Sequence, residues 1–167
     1  MKKIILLGYM GCGKSTIANR LSKITTIPYI DLDKSIENRT NLSINEIFEK
    51  RGEIYFRKLE QEVLIELLNT PDDLIIGLGG GTPCYANNHE LLQREDIDSF
   101  YLKASVDTLF ERLVSNKSKR PLIANKSDEE MKEFIAKHLF DRSYYYNQAK
   151  YKVNILFLEW EISPKHS

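Results

Sequence analysis

A glycine-rich segment between an apolar run and a helical pattern constrains this chain more than any other feature. Residues 8–15 have the sequence GYMGCGKS and match the pattern G-x-x-x-x-G-K-S/T at every fixed position. The apolar residues 4–7 before it predict a buried strand, and residues 14–24 after it predict a helix. A strand, this loop and a helix in that order are typical of a phosphate-binding loop (P-loop), in which backbone N–H groups and the helix N-terminus face an anion.

The P-loop predicts a nucleoside triphosphate site. We expect Lys14 to reach the β- and γ-phosphates and the Ser15 hydroxyl to ligate Mg²⁺ directly. The glycines allow the backbone to curl around the phosphate oxygens. The nucleotide-binding residues expected in this segment are Gly11, Cys12, Gly13, Lys14, Ser15 and Thr16.

Length and charge exclude several other classes of protein. The chain has 167 residues, which suits one domain over residues 1–167. Lys plus Arg and Asp plus Glu both number 24, so no net basic field exists to hold nucleic acid or an anionic membrane. The two cysteines are too few for a disulfide framework, and no apolar run is long enough to span a bilayer. We expect a cytoplasmic monomer with neither nucleic acid nor membrane as a partner.

Short apolar runs alternate with longer helical patterns along the chain. This alternation predicts an α/β fold, a doubly wound three-layer sandwich with a central parallel sheet of five strands. The helix over 53–68 has helical spacing of its apolar residues, and Ser43 and Ser127 each begin a helix with a glutamate three residues later, the capping-box pattern. The strands after the first are predicted at 29–30, 74–78, 100–102 and 153–157.

Residues 125–128 have the sequence NKSD, which matches the guanine-binding motif N-K-x-D of GTPases. We interpret the match as fortuitous. The preceding residues 117–124 begin with a charged, loop-like stretch instead of forming a buried strand, and Ser127 is better placed as a helix N-cap. The strand over 74–78 is followed by glycines with no aspartate of the GTPase switch type. A kinase is therefore favoured over a GTPase.

Several later residues are candidates for binding the phosphoryl acceptor. Asp31 and Asp33 follow the second strand, so they should face the P-loop. One carboxylate could orient a substrate hydroxyl and the other could hold a water of Mg²⁺; alternatively, the pair only begins a helix. Arg57 can bind a carboxylate bidentately while Glu60 braces it, or it can form a surface ion pair. The glycine run 79–81 permits close approach of a ligand, or forms a flexible turn.

A basic loop follows the predicted helix over 109–113. We expect this loop, about residues 114–126, to be a mobile lid in which Arg120 closes over the transferring phosphoryl group. The alternative is that Arg120 is one more solvated charge.

The ordered set of motifs resembles shikimate kinases. It consists of GYMGCGKST, DLD, FRKLE, GGG and RPL, and the resemblance covers about residues 2–149. No single later motif is specific, but their order and spacing are. The resemblance implies a sheet with strand order 2-3-1-4-5, acceptor-binding helices over about 32–62, and Mg²⁺-dependent transfer of the γ-phosphoryl group of ATP to the 3-hydroxyl of shikimate. ATP and shikimate are thus the expected partners.

The resemblance also implies roles for individual residues. Lys14, Asp33 and Arg120 would be catalytic, Asp31 would lie near Mg²⁺ through a water, and Arg112 and Arg120 would join the nucleotide site. The implied shikimate-binding residues are Asp33, Phe48, Phe56, Arg57, Gly79, Gly80, Gly81 and Arg142.

Two segments depart from the pattern of the family. The arginine at position 142 is usually followed by a proline and a tyrosine, but here residues 142–146 are RSYYY, so the register after Arg142 stays open. We interpret the three tyrosines as packing residues. The end of the chain, from residue 158, shows no clear amphipathic helix and is given no function. The remaining alternatives are a P-loop kinase for a sugar acid or a nucleotide, and a non-catalytic ATP-binding module.

Overall fold

The computed structural model describes residues 2–115 and 124–155. They form a sheet whose five strands are all parallel and lie in the order β2-β3-β1-β4-β5, as predicted. The strands are β1 (Lys3–Leu7), β2 (Tyr29–Asp31), β3 (Leu74–Gly77), β4 (Ile97–Ala104) and β5 (Tyr151–Ile155). Every residue of β1 is buried between β3 and β4, which fits the apolar character of a central parallel strand.

Seven α-helices connect and follow the strands within the described ranges. They are α1 (Lys14–Thr25), α2 (Leu32–Thr40), α3 (Ile44–Arg51), α4 (Glu53–Leu68), α5 (Asn88–Leu91), α6 (Val106–Val114) and α7 (Asp128–Tyr146). The bounds of α4 are those predicted from its apolar spacing. The doubly wound α/β fold is therefore confirmed.

Both predicted capping boxes are present. Ser43 Oγ accepts a hydrogen bond from the Glu46 amide at 3.1 Å at the start of α3. Ser127 Oγ accepts one from the Glu130 amide at 3.2 Å at the start of α7. Ser127 therefore begins a helix, which confirms the role given to it in the NKSD segment.

The sequence pattern missed parts of the chain where polar residues are buried by tertiary contacts. Strand β4 begins at Ile97, three residues before the predicted start. Ser99 within it is fully buried, and its hydroxyl is satisfied because it donates to the Leu92 carbonyl at 2.8 Å. The short helix α5 and a 3₁₀ turn over Thr82–Cys84 were not predicted. Strand β5 begins at Tyr151, earlier than predicted, where the Tyr151 ring stacks on Phe100 with centroids 4.9 Å apart.

Four predictions lie wholly or partly outside the described residues. These are the role of Arg120, most of the expected lid, the last two residues of the strand predicted over 153–157, and the segment from residue 158 onward. Within the parts that the structure describes, no helix is long and apolar enough to cross a membrane.

Candidate active site

A groove of about 670 Å³ lies at the carboxyl ends of β1, β2 and β3. These three strands are neighbours in the sheet, so the P-loop after β1, the carboxylates after β2 and the glycine run after β3 share one edge. The groove is lined by the P-loop together with Asp31, Asp33, Gly79, Gly80 and Arg112.

The P-loop has the backbone geometry of an anion site. Gly11 and Gly13 have φ angles of 83° and 89°, in the left-handed region that favours glycine. A Cβ on Gly11 would also come within 2.9 Å of Leu113 Cδ2. Gly13 is the N-cap of α1 and has no side chain to bond the first helical N–H groups. These N–H groups therefore face the groove with the positive end of the helix dipole.

The expected nucleotide ligands surround that loop. Lys14 Nζ donates to the Gly8 carbonyl at 3.4 Å, and Ser15 and Thr16 are exposed in the groove. Arg112, on α6, donates from Nη1 to the Gly11 carbonyl at 3.3 Å and lines the same groove. Cys12 is buried, and burial raises the pKa of its thiol, so the side chain serves as a small space-filling group.

Two carboxylates lie opposite the P-loop. Asp31 is the N-cap of α2, where its Oδ1 accepts from the Lys34 amide at 3.2 Å. Asp33 lies in the first turn of α2 and is partly buried. Its pKa is raised to about 6, first by burial and then by the negative charges of Asp31 and Glu60. This corner of the groove therefore carries more negative charge than its neighbours neutralise.

The glycine run 79–81 is where the predicted acceptor-binding side chains converge. A Cβ on Gly79 would lie 3.1 Å from Asp33 Oδ1. A Cβ on Gly80 would lie 3.0 Å from Arg142 Nη1, and a Cβ on Gly81 would lie 2.8 Å from Arg57 Nη2. Each glycine thus makes room for one of three predicted site residues that come from distant parts of the sequence.

Arg57 is held by a buried carboxylate. Its Nη1 donates to Glu60 Oε1 at 3.0 Å, and the Glu60 side chain is only 1% exposed. The other carboxylate oxygen of Glu60 accepts from the Thr82 hydroxyl at 2.8 Å. The ion pair between Arg57 and Glu60 is therefore not a surface ion pair, and it fixes Arg57 beside the glycine run.

Arg142 reaches the same run from α7. Its Nη1 donates to the Tyr146 hydroxyl at 3.3 Å, and that hydroxyl donates to the Gly80 carbonyl at 2.5 Å. Because α7 continues through Tyr146, the two residues lie one turn apart on the same face. The helix thus continues past Arg142 without the proline, and Tyr146 contacts Arg142 and the Gly80 carbonyl.

An aromatic pair packs beside Arg57. The rings of Phe48 and Phe56 have centroids 4.8 Å apart, and the Arg57 Cζ lies 5.1 Å from the Phe56 ring. The predicted aromatic wall therefore adjoins Arg57.

Two tyrosines near the site were not among the predicted site residues. The Tyr9 hydroxyl pairs with His138 Nδ1 at 2.9 Å, and the Arg142 Cζ lies 5.6 Å from the Tyr9 ring. Burial and the nearby charge of Arg142 lower the pKa of His138, so the imidazole is neutral at pH 7. The second is Tyr85, whose ring lies 3.9 Å from the Arg57 Cζ. Tyr9 stands at a variable position of the P-loop motif and Tyr85 lies outside every motif, and the contacts of both join segments that are distant in sequence.

This chain is similar to known proteins over most of its length. The family model described as shikimate kinase matches residues 10–155. A shikimate kinase of Flavobacterium johnsoniae is 74% identical over 155 residues, which are 93% of this chain and 90% of that protein.

Solved structures give the same result. The crystal structure of shikimate kinase from Bacteroides thetaiotaomicron superposes with a TM-score of 0.88 at 37% identity, covering 96% of this chain and 92% of that one. Shikimate kinase from Acinetobacter baumannii in complex with shikimate has a TM-score of 0.78 at 32% identity, covering 92% of this chain and 83% of that one.

Proposed function

Because the chain belongs to the shikimate kinase family, and is an ATP-dependent kinase of a shikimate hydroxyl, we propose that both substrates meet in the groove beside the P-loop. One observation supports this most strongly. Asp33, Arg57 and Arg142 converge on the glycine run 79–81, at the same sheet edge as the P-loop. A phosphate-binding loop on one side and two arginines on the other suit a nucleotide donor and an acceptor that carries a carboxylate.

In this proposal the shikimate carboxylate binds Arg57 and Arg142. Their guanidinium groups lie beside Gly81 and Gly80, so a ligand resting on the glycine run would meet both. The 3-hydroxyl would then point to Asp33, which lies beside Gly79 and nearest the P-loop. Phe48 and Phe56 supply an apolar wall next to Arg57.

The nucleotide lies on the P-loop. The backbone N–H groups of residues 11–16 surround its phosphates, and Lys14 neutralises the charge of the β- and γ-phosphates. Arg112, which donates to the Gly11 carbonyl and lines the groove, serves the adenine end.

The oxygen donors at this edge suit Mg²⁺. In the described residues no group of three or more His, Cys, Asp or Glu side chains could hold a metal by itself, which fits an ion that keeps several waters and takes phosphate oxygens. The charge of Asp31 raises the pKa of Asp33, so a cation here would relieve repulsion between the two carboxylates. The Ser15 hydroxyl would hold Mg²⁺ directly and Asp31 through a water; when bound, the ion neutralises charge on the transferring phosphoryl group.

The residues of the chain divide the remaining work. Arg57 and Arg142 fix the acceptor, and Asp33 orients its hydroxyl and accepts the proton that leaves it. Lys14 stabilises the negative charge of the phosphoryl group as it moves. Phosphoryl transfer needs positioning and charge neutralisation above all, and each of these residues supplies one of the two.

The test is ADP release from ATP and Mg²⁺ with shikimate, nucleoside monophosphates or gluconate as the acceptor. We expect turnover with shikimate alone, and we expect NMR of the product to place the phosphoryl group on the 3-hydroxyl. Turnover with another acceptor, or with none despite ATP binding, would contradict the proposed site.

A further inference from the structure

Tyr85 stacks on the acceptor arginine although it belongs to no motif. Its ring centroid lies 3.9 Å from the Arg57 Cζ, closer than the 5.1 Å that separates the Arg57 Cζ from the Phe56 ring. Tyr85 follows the 3₁₀ turn Thr82–Cys84 and is 38% exposed, so part of its ring is open to solvent. An exposed aromatic ring over a functional guanidinium requires an explanation beyond core packing.

The loop that carries Tyr85 is tied to the helix that carries Arg57. Gln61 on α4 donates from Nε2 to the Ala86 carbonyl at 2.6 Å and to Asn88 Oδ1 at 3.2 Å. The buried Asn88 in turn donates from Nδ2 to the Thr82 carbonyl at 3.0 Å. The backbone on both sides of Tyr85 is therefore anchored, and the ring lies over Arg57.

The remaining contacts of Arg57 leave a buried N–H donor of the guanidinium without an acceptor among the residues that the structure describes. Nη1 is occupied by Glu60 at 3.0 Å, and Nη2 lies next to Gly81. Nε is buried and has no hydrogen-bond partner among the residues that the structure describes. The edge formed by Nε and Nη2 has the two parallel N–H groups that bind a carboxylate side-on, provided that the plane of the guanidinium is fixed.

We propose that Tyr85 is a positioning residue for the acceptor carboxylate. By covering the face of the guanidinium, the ring fixes its plane so that the Nε–Nη2 edge meets both carboxylate oxygens. This inference rests on the proposed role of Arg57. Tyr85 acts through Arg57 and takes no part in the transfer itself.

The test compares the KM values of shikimate and of its carboxamide in Tyr85 variants. We expect Tyr85→Ala to raise the KM of shikimate about tenfold, equivalent to about 1.4 kcal/mol, with kcat and the KM of ATP changed less than about twofold. The KM of the carboxamide should stay unchanged, since an amide makes no charge-assisted pair with the arginine. Tyr85→Phe keeps the aromatic ring and should have the KM values of the wild type. Tyr85→Leu fills space without a π-face and should behave like Tyr85→Ala.

The chain offers a matched control in Tyr55. Tyr55 lies on α4, the helix that carries Arg57, and is 41% exposed. Its ring centroid lies 5.4 Å from the Arg51 Cζ, outside the groove. Tyr55→Ala removes a similar aromatic–arginine contact and should leave all three KM values unchanged.

Two results would overturn the inference, and they are distinguishable. If the wild type treats shikimate and its carboxamide alike, the role of Arg57 in carboxylate binding is wrong, and the inference about Tyr85 is wrong with it. If the wild type prefers the acid but Tyr85→Ala shifts both acceptors equally, shifts neither, or is rescued by Leu, only the role of Tyr85 is wrong.

Discussion

Asp33 lies where burial and neighbouring carboxylates both oppose its ionisation. Burial contributes most, followed by the charges of Asp31 and Glu60, while Lys14 acts in the opposite direction. The result is a pKa of about 6 instead of 3.8. A carboxyl group with a pKa close to neutrality is a better proton acceptor than a fully solvated aspartate, yet it is still ionised at pH 7.

This environment predicts an acid limb in the pH profile. Since the pKa is raised to about 6, the protonated form of Asp33 persists up to that pH and cannot accept a proton. The value of kcat/KM for shikimate should therefore fall about tenfold per pH unit below pH 6. Steady-state rates between pH 5 and 8 measure this, with ATP binding over the same range as the control. A profile that stays flat down to pH 5 would show that the charge of Asp33 is not needed.

The residue types of the site could be inferred from the sequence, but their partners could not. Asp33, Arg57 and the glycine run stand in ordered motifs, so their chemistry was predictable from the chain alone. Tyr85 and Tyr146 contact Arg57, Arg142 and the backbone of the run. Such contacts join residues far apart in sequence, and no local pattern encodes them.

At the scale of elements, α7 links a local signal to the site. Its N-terminus is fixed by the capping box of Ser127 and Glu130, and about four turns later the same helix presents Arg142 to the glycine run. Capping boxes were predictable because all their atoms lie within four residues. The 3₁₀ turn Thr82–Cys84 and helix α5 were not, because buried side chains of α4 and Asn88 hold them.

The cap of α7 should contribute measurably to stability. Ser127→Ala removes the acceptor for the Glu130 amide and should lower the free energy of unfolding by about 1 kcal/mol. Ser127→Asp keeps an acceptor at the N-cap and should be close to the wild type. Urea unfolding followed by circular dichroism measures both. Equal stabilities for the Ala and Asp variants would mean that the cap contributes nothing.

At the scale of the whole molecule, the order of the strands creates the site. The order β2-β3-β1 puts three loops from distant parts of the chain at one sheet edge. Alternating strand and helix patterns predicted the parallel sheet, whereas the strand order came from the family resemblance. Local patterns do not determine which strands become neighbours, because that depends on how the helices pack across the sheet.

The division of the groove into a nucleotide half and an acceptor half is tested most directly by Asp33→Asn. We measure turnover of shikimate beside the Kd of ATP, with Asp107→Asn as the control, since Asp107 is an exposed carboxylate on α6. Asp33→Asn should reduce turnover about 10²- to 10⁴-fold and leave the Kd of ATP within about threefold of the wild type. Asp107→Asn should change neither. A loss of ATP affinity as large as the loss of turnover would show that Asp33 serves the nucleotide and that the acceptor half has been misassigned.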